Sequence, residues 1–470
     1  MRGGTAAWFL WMGVVLAVLC AGPGAARATV YPFVPLQDDV RLVADPYVDL
    51  ALRLKLIRNA RHTIDLSLYE QGDDDVGLPI LAALRDAADR GVRVRVLTQW
   101  FFQYAYHPFN QSPSYATNPP TRVPLQYLVF GAPEDLMRHG LHASDGVHGK
   151  VLVVDDAVAL STGRGHAKMN MTWIDSSNLV RGPLVQQLTH AFGRTWDAAA
   201  RFGQLEQPLV VRSKRTPDQV KPPPSPADPG VNAPWVPDAD ELWTWATSPR
   251  VDAPSGRARL LHTDFVAQMA ALKAQRKEPR GWEERMAALT DPALDAVVAR
   301  LDAAGPTSKV RMTSMYALLH PRLKDALCQA SVRGANVVFY TNGDFESAPI
   351  STFAWFASVL DLEWLVRRCG VELFSFVRNP KTPWVFTHLK LAIIDDVTFF
   401  GSHNLNMASS LANDELFVEV EDPVLATASR AMFDRTLRDN AEPVTAEGLA
   451  LARPLGAWGR RLLDPVLGFW

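Results

Sequence analysis

One short phrase occurs twice in this chain, as His148-Gly-Lys150-Val-Leu-Val-Val-Asp155 and, 240 residues later, as His388-Leu-Lys390-Leu-Ala-Ile-Ile-Asp395. Each copy reads His-x-Lys-x4-Asp, and its surroundings repeat with it. Residues 83 to 97 resemble residues 326 to 340: a helical stretch, a glycine stop at Gly91 or Gly334, then a strand-like run. Gly91 lies 57 residues before His148 and Gly334 lies 54 before His388, with a further candidate strand upstream of each helix, Thr63 to Tyr69 and Val310 to Tyr316. Duplication on this scale restricts the chain to two homologous α/β halves. A pseudo-twofold arrangement of the halves brings both His/Lys faces to one interdomain cleft.

Four consecutive apolar residues separate Lys from Asp in each copy, rich in Val and Ile. Such a run predicts a strand buried on both faces, as in the middle of a mostly parallel sheet flanked by helices. Side chains alternate along a strand, so His148 and Lys150 share one face, as do His388 and Lys390. Asp155 and Asp395 fall on the opposite parity at the strand end, which points to a structural role at the turn rather than to chemistry. Paired imidazoles with paired lysines suit attack on a phosphodiester without a metal.

The motifs extend downstream. Trp173-Ile-Asp175, Gly182-Pro183-Leu-Val185 and Phe192 through Trp196 follow the first copy, and Gly401-Ser402-His403-Asn404 with Asn413-Asp414-Glu415 follow the second. With these the sequence resembles the phospholipase D superfamily, and most resembles bacterial cardiolipin synthases that lack two transmembrane helices. The resemblance covers roughly residues 40 to 210 and 255 to 470.

It implies a fold of two phospholipase D-like halves with the active site at their pseudo-twofold interface. It also implies a division of labour in which one histidine attacks phosphorus to form a phosphohistidine. The other protonates the leaving alkoxide and then deprotonates the incoming alcohol or water. Lys150, Lys390 and Asn404, with Ser402 and Gly163, would hold the nonbridging phosphate oxygens. Asp175 and Glu415, each 27 residues after its histidine, are the candidates to orient the imidazoles. No metal and no cofactor is implied. The first half departs from the pattern: it has Thr162-Gly163-Arg164-Gly165, so Gly165 stands at the asparagine position. Ser161, Thr162 and His166 are candidates to compensate. In the second half one residue fewer separates Asp395 from Gly401, which predicts a tighter turn.

Residues 1–28 read as a secretory signal, with an apolar run from Ala6 to Ala21 and Ala26-Arg27-Ala28 before the cleavage point. The alternative is an uncleaved membrane anchor; either way the catalytic body is exported and periplasmic or membrane-associated. Residues 29–210 are then the first half, 211–255 a Pro-rich linker, and 256–470 the second half with a helical insertion at 263–304. Pro279 and Pro292 break or bound the helices of that insertion. In an oxidising compartment Cys328 and Cys369 can pair, although their spacing does not establish proximity.

The net charge of -2 and a pI near 6.6 argue against nonspecific nucleic-acid binding, which draws on a basic surface. A basic groove can hide within a neutral total, so nucleic acid stays a secondary reading. The aromatic run Trp100 to Phe109, continuing through Tyr115, and the C-terminal Leu462-Leu463 and Leu467-Gly-Phe-Trp470 suit contact with lipid or ordinary packing. The expected partners are a phospholipid substrate and a membrane surface, with the oligomeric state left open. The expected activity is cardiolipin synthase-like phosphatidyl transfer. The alternatives are a secreted phospholipase D hydrolase or nuclease, and a catalytically weak lipid-binding or scaffold protein.

Overall fold

The computed structural model describes residues 29–463 except 73, 100–114, 117–125, 131–145, 202–206, 209, 212–237, 252, 265–290, 344–348 and 412. The signal segment, the run Trp100 to Phe109, the prolines of 213–237, most of the 263–304 insertion and the last seven residues therefore lie outside the described residues.

The first half runs β1 (Val40–Val43), α1 (Pro46–Asn59), β2 (Thr63–Leu68), α2 (Gly77–Asp89), β3 (Arg93–Gln99), β4 (Gln126–Phe130), β5 (Gly146–Val147), β6 (Val151–Val154), β7 (Val158–Thr162), β8 (Trp173–Ile174), β9 (Ser177–Arg181) and α3 (Pro183–Arg201). After α4 (Ala239–Thr247) the second half repeats this plan. It comprises β10 (Gly256–Thr263), α5 (Pro292–Ala303), β11 (Lys309–Ser314), α6 (Pro321–Val332), β12 (Asn336–Asn342), α7 (Pro349–Cys369) and β13 (Glu372–Phe376). There follow β14 (Phe386–Thr387), β15 (Leu391–Ile394), β16 (Val397–Gly401), α8 (Met407–Leu411), β17 (Asn413–Glu421), α9 (Pro423–Asn440) and α10 (Ala446–Leu463).

Local chemistry starts and stops these helices. Asp45, Asp291 and Asp422 each accept backbone N–H bonds at the first turn of α1, α5 and α9, with a proline at the first helical position. Gly91 and Gly334 end α2 and α6 at φ near +98° and +97°, where a side chain would be strained.

Each sheet is mixed, which corrects the expectation of a mostly parallel one. In the first sheet β2, β3 and β4 are parallel, while β6, β7, β9 and β1 continue it antiparallel on the other side of β2. In the second, β11, β12 and β13 are parallel and β15, β16, β17 and β10 antiparallel. The motif strands β6 and β15 thus run antiparallel to both neighbours. Each is joined to the next strand by a hairpin of two or three residues, too short for the crossover that parallel pairing needs. Burial on both faces, the feature read from the apolar run, does hold. Val151 and Val153 pack toward the other half, whereas Leu152 and Val154 pack under α1 and α2. Hydrophobic patterning reports burial and is silent on strand direction.

The layers follow from these faces. Helices α1, α2 and α4 cover the outer side of the first sheet, and α5, α6, α7 and α10 cover the outer side of the second. Between the sheets lie α3, whose Leu184, Leu188 and Phe192 share a core with Leu260 and Val418, and α9, whose Met432 and Phe433 pack on Tyr340 and Leu391. Thr29–Val30 and Val34–Leu36, assigned to the first half, add instead to the free edge of β10 in the second. Within 211–255, residues Ala239–Thr247 form a helix seated on α1 rather than a linker. A disulfide joins Cys328 of α6 to Cys369 of α7, closing the question that spacing left open. No helix among the described residues is long and apolar enough to cross a membrane.

Candidate active site

Two short strand pairings between the halves build the site. β5 lies parallel to the start of β17, and the His148 and Gly149 N–H groups donate to Asp414 O at 3.1 and 2.7 Å. By the same geometry β8 lies parallel to β14, and the His388 N–H donates to Ile174 O at 2.7 Å. Each motif is also held from within its own sheet. Ser67 Oγ of β2 donates to Gly149 O at 2.5 Å, and Thr313 Oγ1 of β11 donates to Leu389 O at 2.8 Å.

This pairing decides which acid meets which imidazole. His148 Nδ1 lies 2.8 and 2.9 Å from the two carboxylate oxygens of Glu415, and His388 Nδ1 lies 2.6 Å from Asp175 Oδ2. Each acid therefore serves the histidine of the opposite half. The spacing of 27 residues repeats because the halves are homologous, not because residues 27 apart touch. The lysines Lys150 and Lys390 are buried, and each Nζ donates to the carbonyl of its own histidine, at 3.0 and 2.7 Å.

Electrostatics follow from burial. It pushes His148 down to about 4 and His388 down to about 3, outweighing the carboxylates that raise them, so both imidazoles are neutral at pH 7. Burial likewise lowers Lys150 to about 8 and Lys390 to about 7, against the pull of Glu415 and Asp175. For Asp175 burial alone acts upward, but Lys390, His388 and Arg164 together hold it at about 2. Glu415 is held below its ordinary value in the same way, chiefly by His148. A neutral imidazole that donates its Nδ1 proton to an ionised carboxylate keeps its Nε2 lone pair. Lys150 and Lys390 each act on both acids, which places all of these groups in one electrostatic site.

The remaining predicted residues divide. Ser402 Oγ donates to Glu415 Oε2 at 2.5 Å, and a Cβ on Gly163 would come within 2.4 Å of Asp175 Oδ1. These two residues shape the seats of the acids. Asn404 is buried, and among the described residues its Oδ1 has no partner. Asp155 and Asp395 sit at the hairpin turns with φ of +54° and +52°. Asp155 accepts N–H bonds from Arg61, His62 and Thr63, and Asp395 from Lys309. Ser161, Thr162 and His166 are buried in the first half, where Thr162 and His166 are bound to Arg53.

Some neighbours escaped sequence reasoning. The Tyr69 ring stands edge-on to His148 at 4.6 Å between centroids and 4.9 Å from Lys150 Nζ, and Trp173 lies 4.9 Å from His388. Ser409 Oγ donates to Glu415 Oε1 at 2.7 Å. Arg164 Nη2 donates to Asp175 O at 2.8 Å. Tyr69 ends a candidate strand and Trp173 opens the motif Trp173-Ile-Asp175, yet nothing in their spacing sets them apart from core aromatics.

The geometry can be set beside known proteins. A family model described as "Cardiolipin synthase, PLD-like domain" matches residues 54–196 and 297–437, one segment per half and together more than half of the chain. The chain belongs to the phospholipase D-like family. Among solved structures, the phosphatidylserine synthase of Haemophilus influenzae Rd KW20 superposes with a TM-score of 0.62 over 93% of this chain and 96% of that one, at 14% identity. A phospholipase D family member, Nuc from Salmonella typhimurium, matches 32% of this chain and 90% of its own at 20% identity, with a TM-score of 0.26. No curated protein matches at the level of sequence. As a member of the phospholipase D-like family, the protein is an enzyme of phosphodiester transfer.

Proposed function

We propose that the protein is a metal-independent phosphatidyltransferase that works through a phosphohistidine, with cardiolipin synthase-like chemistry on a glycerophospholipid. One observation carries this reading: two buried imidazoles, each donating Nδ1–H to an ionised carboxylate, share one site with two buried lysines. The Nε2 lone pair of one histidine attacks phosphorus, and the bond from phosphorus to the leaving alkoxide breaks. The second histidine gives that alkoxide its proton. It is neutral in the free protein, and the protonated form is favoured once the phosphodiester anion sits beside it. An acceptor alcohol then attacks phosphorus and returns a proton to the second histidine as the P–N bond breaks. Lys150, Lys390 and Asn404 stabilise the charge on the nonbridging oxygens.

A lipid substrate is favoured by the family model and by the absence of a strong net positive charge. The membrane-surface reading is supported by α10, which exposes Leu451, Leu455 and Trp458 along one face (85%, 50% and 60% exposed). Export is supported by the apolar run Ala6 to Ala21 and by the Cys328–Cys369 disulfide, which suits an oxidising compartment.

Purified protein incubated with phosphatidylglycerol vesicles in the presence of a chelator should form cardiolipin, detected by mass spectrometry. His148→Ala and His388→Ala should each lower turnover by at least about 10^3-fold. Phosphatidic acid as the sole product would turn the reading to hydrolysis, and nicked plasmid DNA to a nuclease. Full activity in either histidine variant, or loss of activity with chelator, would refute the two-histidine scheme.

A further inference from the structure

The first half lacks the asparagine of the second, and the sheet registers fix the equivalence. Val154 pairs with Val158 across the first hairpin and Ile394 with Val397 across the second, so the second hairpin is one residue shorter. Further on, Thr162 pairs with Ser177 and Gly401 with Phe417. Three residues past these ends stand Gly165 and Asn404. Of the substitutes suggested by sequence, Thr162 and His166 bind Arg53, while Ser161 is fully buried within β7, four positions before Gly165.

Another carboxamide occupies the place. Asn170, in the 3-10 turn Lys168–Thr172 just before β8, lies against Gly165. A Cβ built on that glycine would be 2.9 Å from Asn170 Oδ1, 3.4 Å from its Cγ and 3.6 Å from its Nδ2. An asparagine side chain at 165 and the present side chain of Asn170 therefore compete for one volume. Asn170 is buried and its orientation is set: Oδ1 accepts from Ala167 N at 3.0 Å, and its carbonyl accepts from Arg164 Nη1 at 2.8 Å. With Oδ1 engaged, Nδ2 is the donor left over, and among the described residues it has no acceptor. Asp175 directly follows the next strand, Trp173–Ile174, so this donor sits on the turn just before the segment that carries the acid of His388.

We infer that Asn170, from the 3-10 turn, supplies through Nδ2 the nonbridging-oxygen contact that Gly165 cannot make, giving the site two amide donors of different origin. This rests on the proposed phosphodiester chemistry of the cleft.

Asn170→Asp isolates the donor, because a carboxylate oxygen still caps Ala167 N while no N–H is left. The expected result is a thermal midpoint near that of wild type, with turnover of a chromogenic phosphodiester down about a hundredfold. Inorganic phosphate binding, read by calorimetry, should weaken as well. Asn170→Ala should lose a similar factor. In the double variant Gly165→Asn/Asn170→Ala the vacated volume accepts the new side chain. The backbone at 165 is outside the left-handed region, and turnover should recover at least tenfold over Asn170→Ala. Wild-type turnover and phosphate affinity in Asn170→Asp, or a double variant no more active than Asn170→Ala, would overturn the inference. A wild-type protein that neither binds phosphate nor turns over the phosphodiester would instead refute the reading of the cleft, and the inference with it.

Discussion

In the second half, Asn404 springs from the loop after β16 and Ser402 and Ser409 both donate to Glu415; in the first half the same loop holds Gly165 and Gly163, and Asp175 receives no hydroxyl from those places. The smaller acid of the first half is fitted by a glycine at 163, whose missing Cβ leaves room for the carboxylate. The larger acid of the second half is fitted by two serines. Two halves descended from one plan have thus reached the same product, an ionised carboxylate facing an imidazole Nδ1, by different local packing. The lesson is that equivalence resides in the pair across the interface, and each half is incomplete alone.

The crossed pairing is open to the sharpest test. Asp175→Asn and Glu415→Gln should each cut turnover on the order of 10^3-fold, because a neutral amide no longer enforces the productive tautomer. Asp175→Asn should match His388→Ala, and Glu415→Gln should match His148→Ala, in whether a phosphoenzyme accumulates under single-turnover conditions. The opposite match would break the cross-half assignment. Asn404→Ala comes next, with an expected loss of about a hundredfold in kcat and little change in the thermal midpoint, since among the described residues its Oδ1 has no partner to lose.

Acidity separates the halves more gently. Lys390, brought down to about 7 chiefly by burial, loses its charge as pH rises and Lys150, at about 8, begins to, so kcat/KM should fall about tenfold between pH 7 and pH 8, mostly through Lys390. Lys390→Arg should flatten that limb, and a wild-type profile level to pH 9 would contradict the assignment. Stability has the other slope. His148 and His388 are depressed from an ordinary 6.5 to about 4 and about 3, so the unfolded chain binds protons that the folded protein refuses. Their contribution to stability is complete above pH 6.5 and is lost as pH falls toward 3. His388→Asn should lose less stability than wild type over that interval in denaturant titrations. The smallest effect on turnover belongs to the disulfide, which staples only the second half. Cys328→Ser should leave activity within about twofold while costing about 2–4 kcal/mol in unfolding free energy.

Much of this was legible in the chain. The duplication announces two halves, the apolar run between Lys and Asp announces a strand buried on both faces, and Gly91 and Gly334 mark helix ends, because all of these are governed by neighbours in sequence. The groups that the structure brings together were legible as well, His148, Lys150, His388, Lys390, Asp175 and Glu415 among them. Their partners were not. The addition of Thr29–Val30 to the second sheet, the closing of Cys328 on Cys369 and the crossing of Glu415 to His148 each depend on contacts between segments remote in the chain. Spacing within one half carries no information about the other half's orientation. The sequence by itself determined which groups are present and which face of a strand each one takes. Only the packing of the two sheets against α3 and α9 decided which carboxylate each imidazole meets, because that is settled by how the halves dock.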